Sequence, residues 1–181
     1  MKCVIVDASG HPGGHTGAAC IRMSKVFEEA GWDVDYLTVP ASTSSHCNGC
    51  GSCSSSGVCI FQDPMSAVIE RIRDSDILVL ASPIRFSGLS SQMKMLIDRM
   101  NPLWHVRGKV PSWVCWVLCG GSPEPKFTNA RSELNALTLG IGSQCGGYLE
   151  VSGTDSDGVT ETANAAGDFA ADLVARLSTR R

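Results

Sequence analysis

The sequence predicts an α/β protein with a parallel β-sheet covered by helices on both sides. Three observations carry that expectation. Strand-like and helix-like periodicities alternate along the chain, which implies parallel strands joined by crossover helices. Residues 77–81 and 112–119 are almost continuously apolar, as strands buried on both faces are. Glycine-rich loops close the first and fourth of the predicted strands.

Residues 2–6 are short, apolar and β-branched, and make the first strand. A Ser, Gly and Pro loop follows over 8–17. Residues 18–30 read as a helix with Ile21, Val26 and Phe27 as its apolar positions and Gly31 as its stop. Residues 33–39 alternate and form the second strand. A cysteine-rich loop is inserted at about 41–62. Asp63-Pro64 has the form of an N-cap followed by proline at the first helical position. It opens a helix over 65–73 with Val68, Ile69 and Ile72 on one face.

Residues 77–81 are the third strand, 82–88 a loop, and 90–100 a helix striped by Met93, Leu96, Ile97 and Met100. Residues 112–119 are the fourth strand, ending in Gly120-Gly121. A helix over 127–139 and a fifth strand over 148–151 follow. The terminal helix runs over 160–177, with Phe169, Leu173 and Leu177 facing the core. No repeat, linker or charge block divides the chain, so 1–181 is read as one domain.

Composition excludes several classes. With 43% hydrophobic and 18% charged residues, the chain belongs with globular rather than disordered proteins. A formal net charge of -3 gives no general attraction to nucleic acid or anionic membrane. No apolar run is long enough to span a bilayer, and the first residues lack the apolar region and cleavage site of a signal peptide. Cytoplasmic placement is the default expectation. In a reducing compartment disulfides are disfavoured, which gives weight to metal or redox use of clustered cysteines. Cys3 and Cys115, in strand-like runs, are expected in the core.

Cys47, Cys50, Cys53 and Cys59 form Cys-x2-Cys-x2-Cys-x5-Cys. Gly49, Gly51 and Gly57 permit the tight turns of a loop wrapped round one small object. Four thiolates suit a [4Fe–4S] cluster. They also suit tetrahedral zinc, a pair of disulfides, or free thiols.

In a sheet of this kind ligands bind outside the carboxyl ends of the strands. The first loop, 8–17, joins strand to helix and presents small residues and hydroxyls at a helix N-terminus, which suits a single phosphate. It is neither a Walker A motif nor Gly-x-Gly-x-x-Gly, so neither ATP nor a dinucleotide is the first expectation. His11 and His15 lie where a phosphate would sit. The loop over 82–90 restricts its backbone with Pro83 and Gly88, and Gly120-Gly121 allows close backbone approach to a planar ligand.

These residues resemble the NAD(P)H-dependent flavin reductase branch of the flavodoxin-like proteins, and more narrowly the iron–sulfur flavoproteins. The branch begins Gly-Ser-Pro-Arg-x-x-Gly-Asn-Thr, and residues 8–16 stand in that frame. Its Ser-Pro-[Ile/Val]-Tyr-Phe-Gly and Gln-x-Lys-x-x-Ile-Asp-Arg segments match residues 82–87 and 92–99. The compact cysteine motif and the Asp-Asp-Met after it correspond to Cys47 through Cys59 and Asp63-Pro64-Met65. The resemblance covers residues 1 to 122 well and the remainder only by pattern.

It implies a flavodoxin-like, doubly wound five-stranded sheet in the order 2-1-3-4-5, with FMN at its switch point. Ser9, His11, His15 and Thr16 would take the phosphate. Pro83, Ile84, Arg85, Phe86 and Ser87 would flank the isoalloxazine ring, and Cys119, Gly120 and Gly121 would close its other side. The four loop cysteines would hold a [4Fe–4S] cluster near FMN in a homodimer or homotetramer. This chain departs in having Ala8 for glycine, His11 for arginine and Arg85 for an aromatic.

Three functions are compatible with these features. The first is an FMN and [4Fe–4S] oxidoreductase exchanging electrons with a ferredoxin-like carrier. The second is an NAD(P)H-dependent FMN or quinone reductase without a cluster, in which no side chain need act as acid or base. The third is a non-enzymatic zinc-binding or electron-carrier module.

Overall fold

The computed structural model describes residues 1–105 and 108–178. Its sheet begins with β1 (Lys2–Asp7), flanked by β2 (Asp33–Thr38) and β3 (Ile77–Arg85). A two-residue strand, β4 (Gly88–Leu89), folds back antiparallel onto the end of β3. Beyond β3 lie β5 (Trp113–Cys119) and β6 (Gln144–Val151), both parallel to it, giving the order β2-β1-β3-β5-β6. With the β4 hairpin set aside this is the predicted 2-1-3-4-5 order. The chain reverses direction across the sheet between β1 and β3, which is the switch point of such a sheet.

Helices cover both faces. On one face α1 (His15–Glu29) and α7 (Val159–Leu177) pack over Cys3, Ile5, Ile77, Val79, Cys115 and Val117. On the other, α3 (Pro64–Arg73), α4 (Ser91–Arg99), α5 (Asn101–His105) and α6 (Thr128–Gly140) pack over Val4, Val6, Leu78, Leu80, Val114 and Trp116. The two lists alternate along each strand, as the period of two requires. A four-residue helix, α2 (Cys53–Ser56), lies inside the cysteine-rich stretch. Among the described residues no helix is long and apolar enough to cross a membrane.

Local chemistry explains the helix starts. The Asp63 side chain accepts a hydrogen bond from the Ser66 N–H, with Pro64 in the first turn of α3. Ser90 does the same for Met93 at the start of α4. Cys3 and Cys115 are fully buried, as expected. In α1 the buried face is Ala19, Cys20, Met23 and Phe27, while Ile21 faces solvent.

The structure departs from expectation in four places. Strand β3 continues through Pro83 to Arg85, over residues read as loop. Pro83 is tolerated there because β1 pairs with β3 only as far as Asp7 and Ala81, so the proline lies past the end of that ladder. Strand β6 begins at Gln144, four residues before Tyr148. Its early part bulges opposite Val114 and Cys115, and a Cβ on Gly146 would strike the Cys115 sulfur. The short helices α2 and α5 were not expected.

Candidate functional site

The first loop leaves β1 at Asp7, whose buried carboxylate accepts hydrogen bonds from the Ser9 N–H (2.8 Å) and the Tyr36 hydroxyl (3.0 Å). Burial first, and the Asp7 charge after it, push the Tyr36 hydroxyl well above its ordinary pKa. The Ser9 hydroxyl turns into the loop and accepts from the His11 N–H at 3.1 Å. Gly10 is left-handed (φ 66°), and a Cβ there would strike the Gln92 amide. A Cβ on Gly17 would collide with the Pro12 carbonyl. The loop is therefore folded back tightly on the start of α1.

Helix α1 has Gly14 as its N-cap, and no side chain caps it. Its first N–H groups thus point at the loop without an intrinsic side-chain acceptor, the usual setting for an anion. A cleft of about 250 Å3 is lined there by Asp7, Gly10, His11, Pro12, Thr38 and Gln92, among others. The Gln92 Oε1 is buried without a hydrogen-bond partner. Of the four expected phosphate residues, Ser9 and His11 face the loop. His15 instead meets the Thr162 hydroxyl of α7 through Nδ1 at 2.8 Å. Thr16 is buried, with its side chain against the Cys119 thiol.

The hairpin after β3 carries Phe86 and Ser87, both at positive φ (48° and 63°), with Arg85 paired to Gly88. This is the two-residue turn geometry that normally selects Asn-Gly. Phe86 is fully exposed. Ile84, Arg85, Phe86 and Ser87 line a cavity of about 400 Å3 together with Gly120, Gly121, Ser122, Glu124, Pro125, Lys126 and Asp155. Gly120 and Gly121 are held by backbone hydrogen bonds to Val151, Thr154 and Asp155, and a Cβ on Gly121 would strike the Asp155 carboxylate. Pro83 sits half-buried within β3. The Cys119 thiol points into the α1–α7 core, where burial pushes its pKa up to about 11.

Ser90 joins the first and third loops. Its hydroxyl donates to the Ala8 carbonyl at 2.8 Å, and its N–H donates to the Ser82 hydroxyl at 3.1 Å. Asp7, Gln92, Lys126 and Asp155 were absent from the sequence-derived set. Only Gln92, inside the matched Gln-x-Lys segment, carried a sequence signal.

The cysteine-rich stretch lies elsewhere. Cys47, Cys50, Cys53 and Cys59 all line one cavity of about 180 Å3, closed by Phe61, Arg99, Asn101, Pro102 and His105 among others. Its far wall is the C-terminal end of α4 and helix α5, whereas Ser90 and Gln92 of the loop site stand at the N-terminal end of α4. The Ser52 backbone and side chain lower the Cys50 thiol pKa, which favours thiolate. Among the described residues no three His, Cys, Asp or Glu side chains converge as a ligand set for one metal ion.

Arg99 is almost fully buried behind this cavity. Its guanidinium grips the Asp63 carboxylate and donates to the Ser45 and Phe61 carbonyls, with the Phe61 ring 5.2 Å from its central carbon. The Asp63 hydrogen bond, and after desolvation the Cys59 sulfur, act on its pKa, with a net upward shift.

The profile of NADPH-dependent FMN reductases matches residues 1–128. The chain belongs to this family. An iron-sulfur flavoprotein of Archaeoglobus fulgidus is 30% identical over 127 residues, 68% of this chain and 58% of that protein. An iron-sulfur flavoprotein of Methanocaldococcus jannaschii is 29% identical over 113 residues, 61% of this chain and again 58% of the relative. The matches thus span less than two thirds of either relative's length. Among solved structures, the NAD(P)H:quinone oxidoreductase of Methanothermobacter marburgensis superposes with a TM-score of 0.75 at 16% identity, covering 96% of both chains. That likeness shows the flavodoxin-like fold. The family match extends from β1 to the first residue of α6, and so includes all the residues of both candidate sites except Asp155.

Proposed function

We propose that this protein is an FMN-dependent oxidoreductase that also holds a [4Fe–4S] cluster in its cysteine-rich stretch. The observation that carries the flavin reading is the union of the first and third loops through Ser90 at the switch point of the sheet. The uncapped start of α1 and the unpartnered Gln92 oxygen fit a phosphate ester that brings both acceptor oxygens and ribityl hydroxyls. The glycine backbone at 120–121 and the hairpin at 84–87 frame a cavity open to a planar ring.

Bound FMN would supply one- and two-electron chemistry, and a cluster would pass electrons singly. The chain's own part is to bind, orient and tune. Ser9, His11 and the α1 amides would hold the phosphate end. Arg85 and Lys126 would set positive charge beside the ring, opposed by the Glu124 and Asp155 carboxylates of the same cavity. No side chain is assigned a proton-transfer role.

For the cluster, all four thiols line one cavity, and a cube of four irons takes one thiolate on each iron. The relatives' names point the same way. NADPH, named in the family description, is the proposed electron donor where no cluster is held. That second reading rests on the family match itself.

Anaerobic purification followed by flavin, iron and acid-labile sulfide counts tests both parts. About one flavin with four irons and four sulfides per chain is expected for the full reading. Flavin without iron supports the plain NADPH-dependent reductase. A colourless, flavin-free protein rejects both.

A further inference from the structure

Arg99 is the largest fully buried side chain in the described residues, and it lies outside the flavin loops. What it touches is unusual. It donates to the carbonyl of Ser45, two residues before the first loop cysteine, at 2.6 Å. It also reaches the carbonyl of Phe61, two residues after the last one, at 3.4 Å. The Ser45 N–H closes the ring by donating to the same Asp63 carboxylate that Arg99 grips, at 2.9 Å. One guanidinium thus fastens both ends of the Cys47–Cys59 stretch to α4. Between those ends, Arg73 of α3 donates to the carbonyl of Gly57, the left-handed residue between Cys53 and Cys59.

We infer that Arg99 is the positioning residue of the cysteine centre: it closes the loop so that Cys47 and Cys59 face one cavity, and with Asp63 it makes an ion pair in the wall of that cavity. This rests on the proposed cluster reading for its cofactor, but not for its geometry. Two physical effects are combined. A planar fork with five donors can hold two carbonyls and a carboxylate at once, which a lysine cannot. A centre ligated by four thiolates carries net negative charge, and Arg99 offsets the Asp63 carboxylate beside it, so that losing Arg99 leaves an unpaired anion there. The Arg99 Nε has no hydrogen-bond partner. Arg99 itself is among the residues that line the cavity of the thiols.

The test uses the full chain with Arg99→Gln, Arg99→Lys and Asp63→Asn. Dibromobimane, which fluoresces on linking two neighbouring thiols, reports loop closure in metal-free protein that also carries Cys50→Ser and Cys53→Ser, so that Cys47 and Cys59 are the pair read. Cross-linking should fall by about tenfold in Arg99→Gln and in Asp63→Asn, since each breaks a buried pair. Flavin content and far-ultraviolet circular dichroism should stay at the wild-type level. In reconstituted protein the midpoint potential of the iron–sulfur centre should move to more negative values in Arg99→Gln. Arg99→Lys should keep the potential while losing occupancy, because it keeps the charge and loses the fork.

Wild-type cross-linking in a folded Arg99→Gln variant would overturn the inference. So would a wild-type potential in that variant. Should that variant not fold, Asp63→Asn decides, and unchanged cross-linking there overturns it equally. A wild-type protein that takes up no iron or sulfide on reconstitution sinks the cluster reading alone. The cross-linking comparison still decides whether Arg99 closes the loop.

Discussion

Arg99 and Asp63 meet in a two-pronged ion pair, Nη1 to Oδ2 at 2.7 Å and Nη2 to Oδ1 at 2.9 Å, joining the end of α4 to the N-cap of α3. The Arg99 hydrogen bonds lower the Asp63 pKa from 3.8 to about 2, helped by the N–H groups of Ser45 and Ser66. The carboxyl is depressed in the folded state, so its stabilisation is fully present above the unfolded value. It is lost as pH falls from about 4 through about 2, and amounts to roughly 2 kcal/mol. Urea unfolding across that range should show the slope in wild-type protein. Asp63→Asn should flatten it and cost about 3 kcal/mol at neutral pH. An unchanged slope in the variant would place the acid sensitivity elsewhere.

The phosphate end of the proposed flavin site is best probed at His11. Thr16 is a poorer choice, because it is buried and a charge there would disrupt the start of α1. His11 is exposed on the loop that lines the cleft. Replacing it with Arg restores the charge and fork that the family pattern carries. His11→Arg should tighten FMN binding by about tenfold and His11→Glu should weaken it by a similar factor, as single charge changes near an anion do. Fluorescence titration of the apoprotein with FMN reads both. Equal affinities in the two variants would move the phosphate away from this loop.

Phe86 and Ser87 occupy left-handed backbone positions without being glycine. Each such residue carries strain of about 1 kcal/mol. Ser87→Gly should therefore raise stability by about 1 kcal/mol, or roughly 2–4 °C in Tm. Lower stability in calorimetry would mean that the Ser87 side chain makes up for its strain. If the turn is held to frame the cavity at 84–87, the same variant should loosen the flavin even as the fold gains stability. Native-state flavin release measures that.

Much of this architecture was legible because local and global signals agreed. Asp63-Pro64 announces α3 through its own capping chemistry, and 77–81 and 112–119 announce buried strands through continuous apolarity. What stayed hidden depended on neighbours distant in sequence. Pro83 and Arg85 look like loop residues, and only pairing with Cys119 of β5 and Gly88 of β4 makes them strand. Gln144 to Gly147 hold one cysteine among polar and glycine residues, and as the start of an edge strand with a bulge they show no alternation. Helices of four and five residues are too short to show a period.

The candidate site divides in the same way. The motif residues of the first and third loops were readable as a frame. Asp7 and Asp155 enter only through the fold, one from a strand end and the other from the loop after β6. Arg99 was readable in hindsight, since it stands three residues after Leu96 on the buried face of α4. A charged residue in that register must find partners inside, and Asp63 is the partner that the cap of α3 supplies.

The final prediction concerns electron entry. The cysteine cavity closes against Asp98 and Arg99, while Gln92 stands at the flavin end of the same helix. Seven residues of α-helix separate the two by about 10 Å. A one-electron carrier that docks at the cysteine cavity should therefore depend on the cluster, whereas dithionite can reach the flavin directly. Cys53→Ala should lose reduction of flavin by reduced ferredoxin at least about tenfold more than reduction by dithionite, a factor that marks one distinct step on the path. Cys20→Ala should affect neither, because Cys20 is buried in the α1–α7 core. Anaerobic stopped-flow absorbance separates the two routes. Equal loss with both reductants would mean that the cysteine stretch only supports the fold or the flavin. No loss with either, together with rapid reduction by NADPH, would show electrons entering at the flavin itself. A dependence on protein concentration would add that one chain's cysteine centre serves the flavin of a second copy.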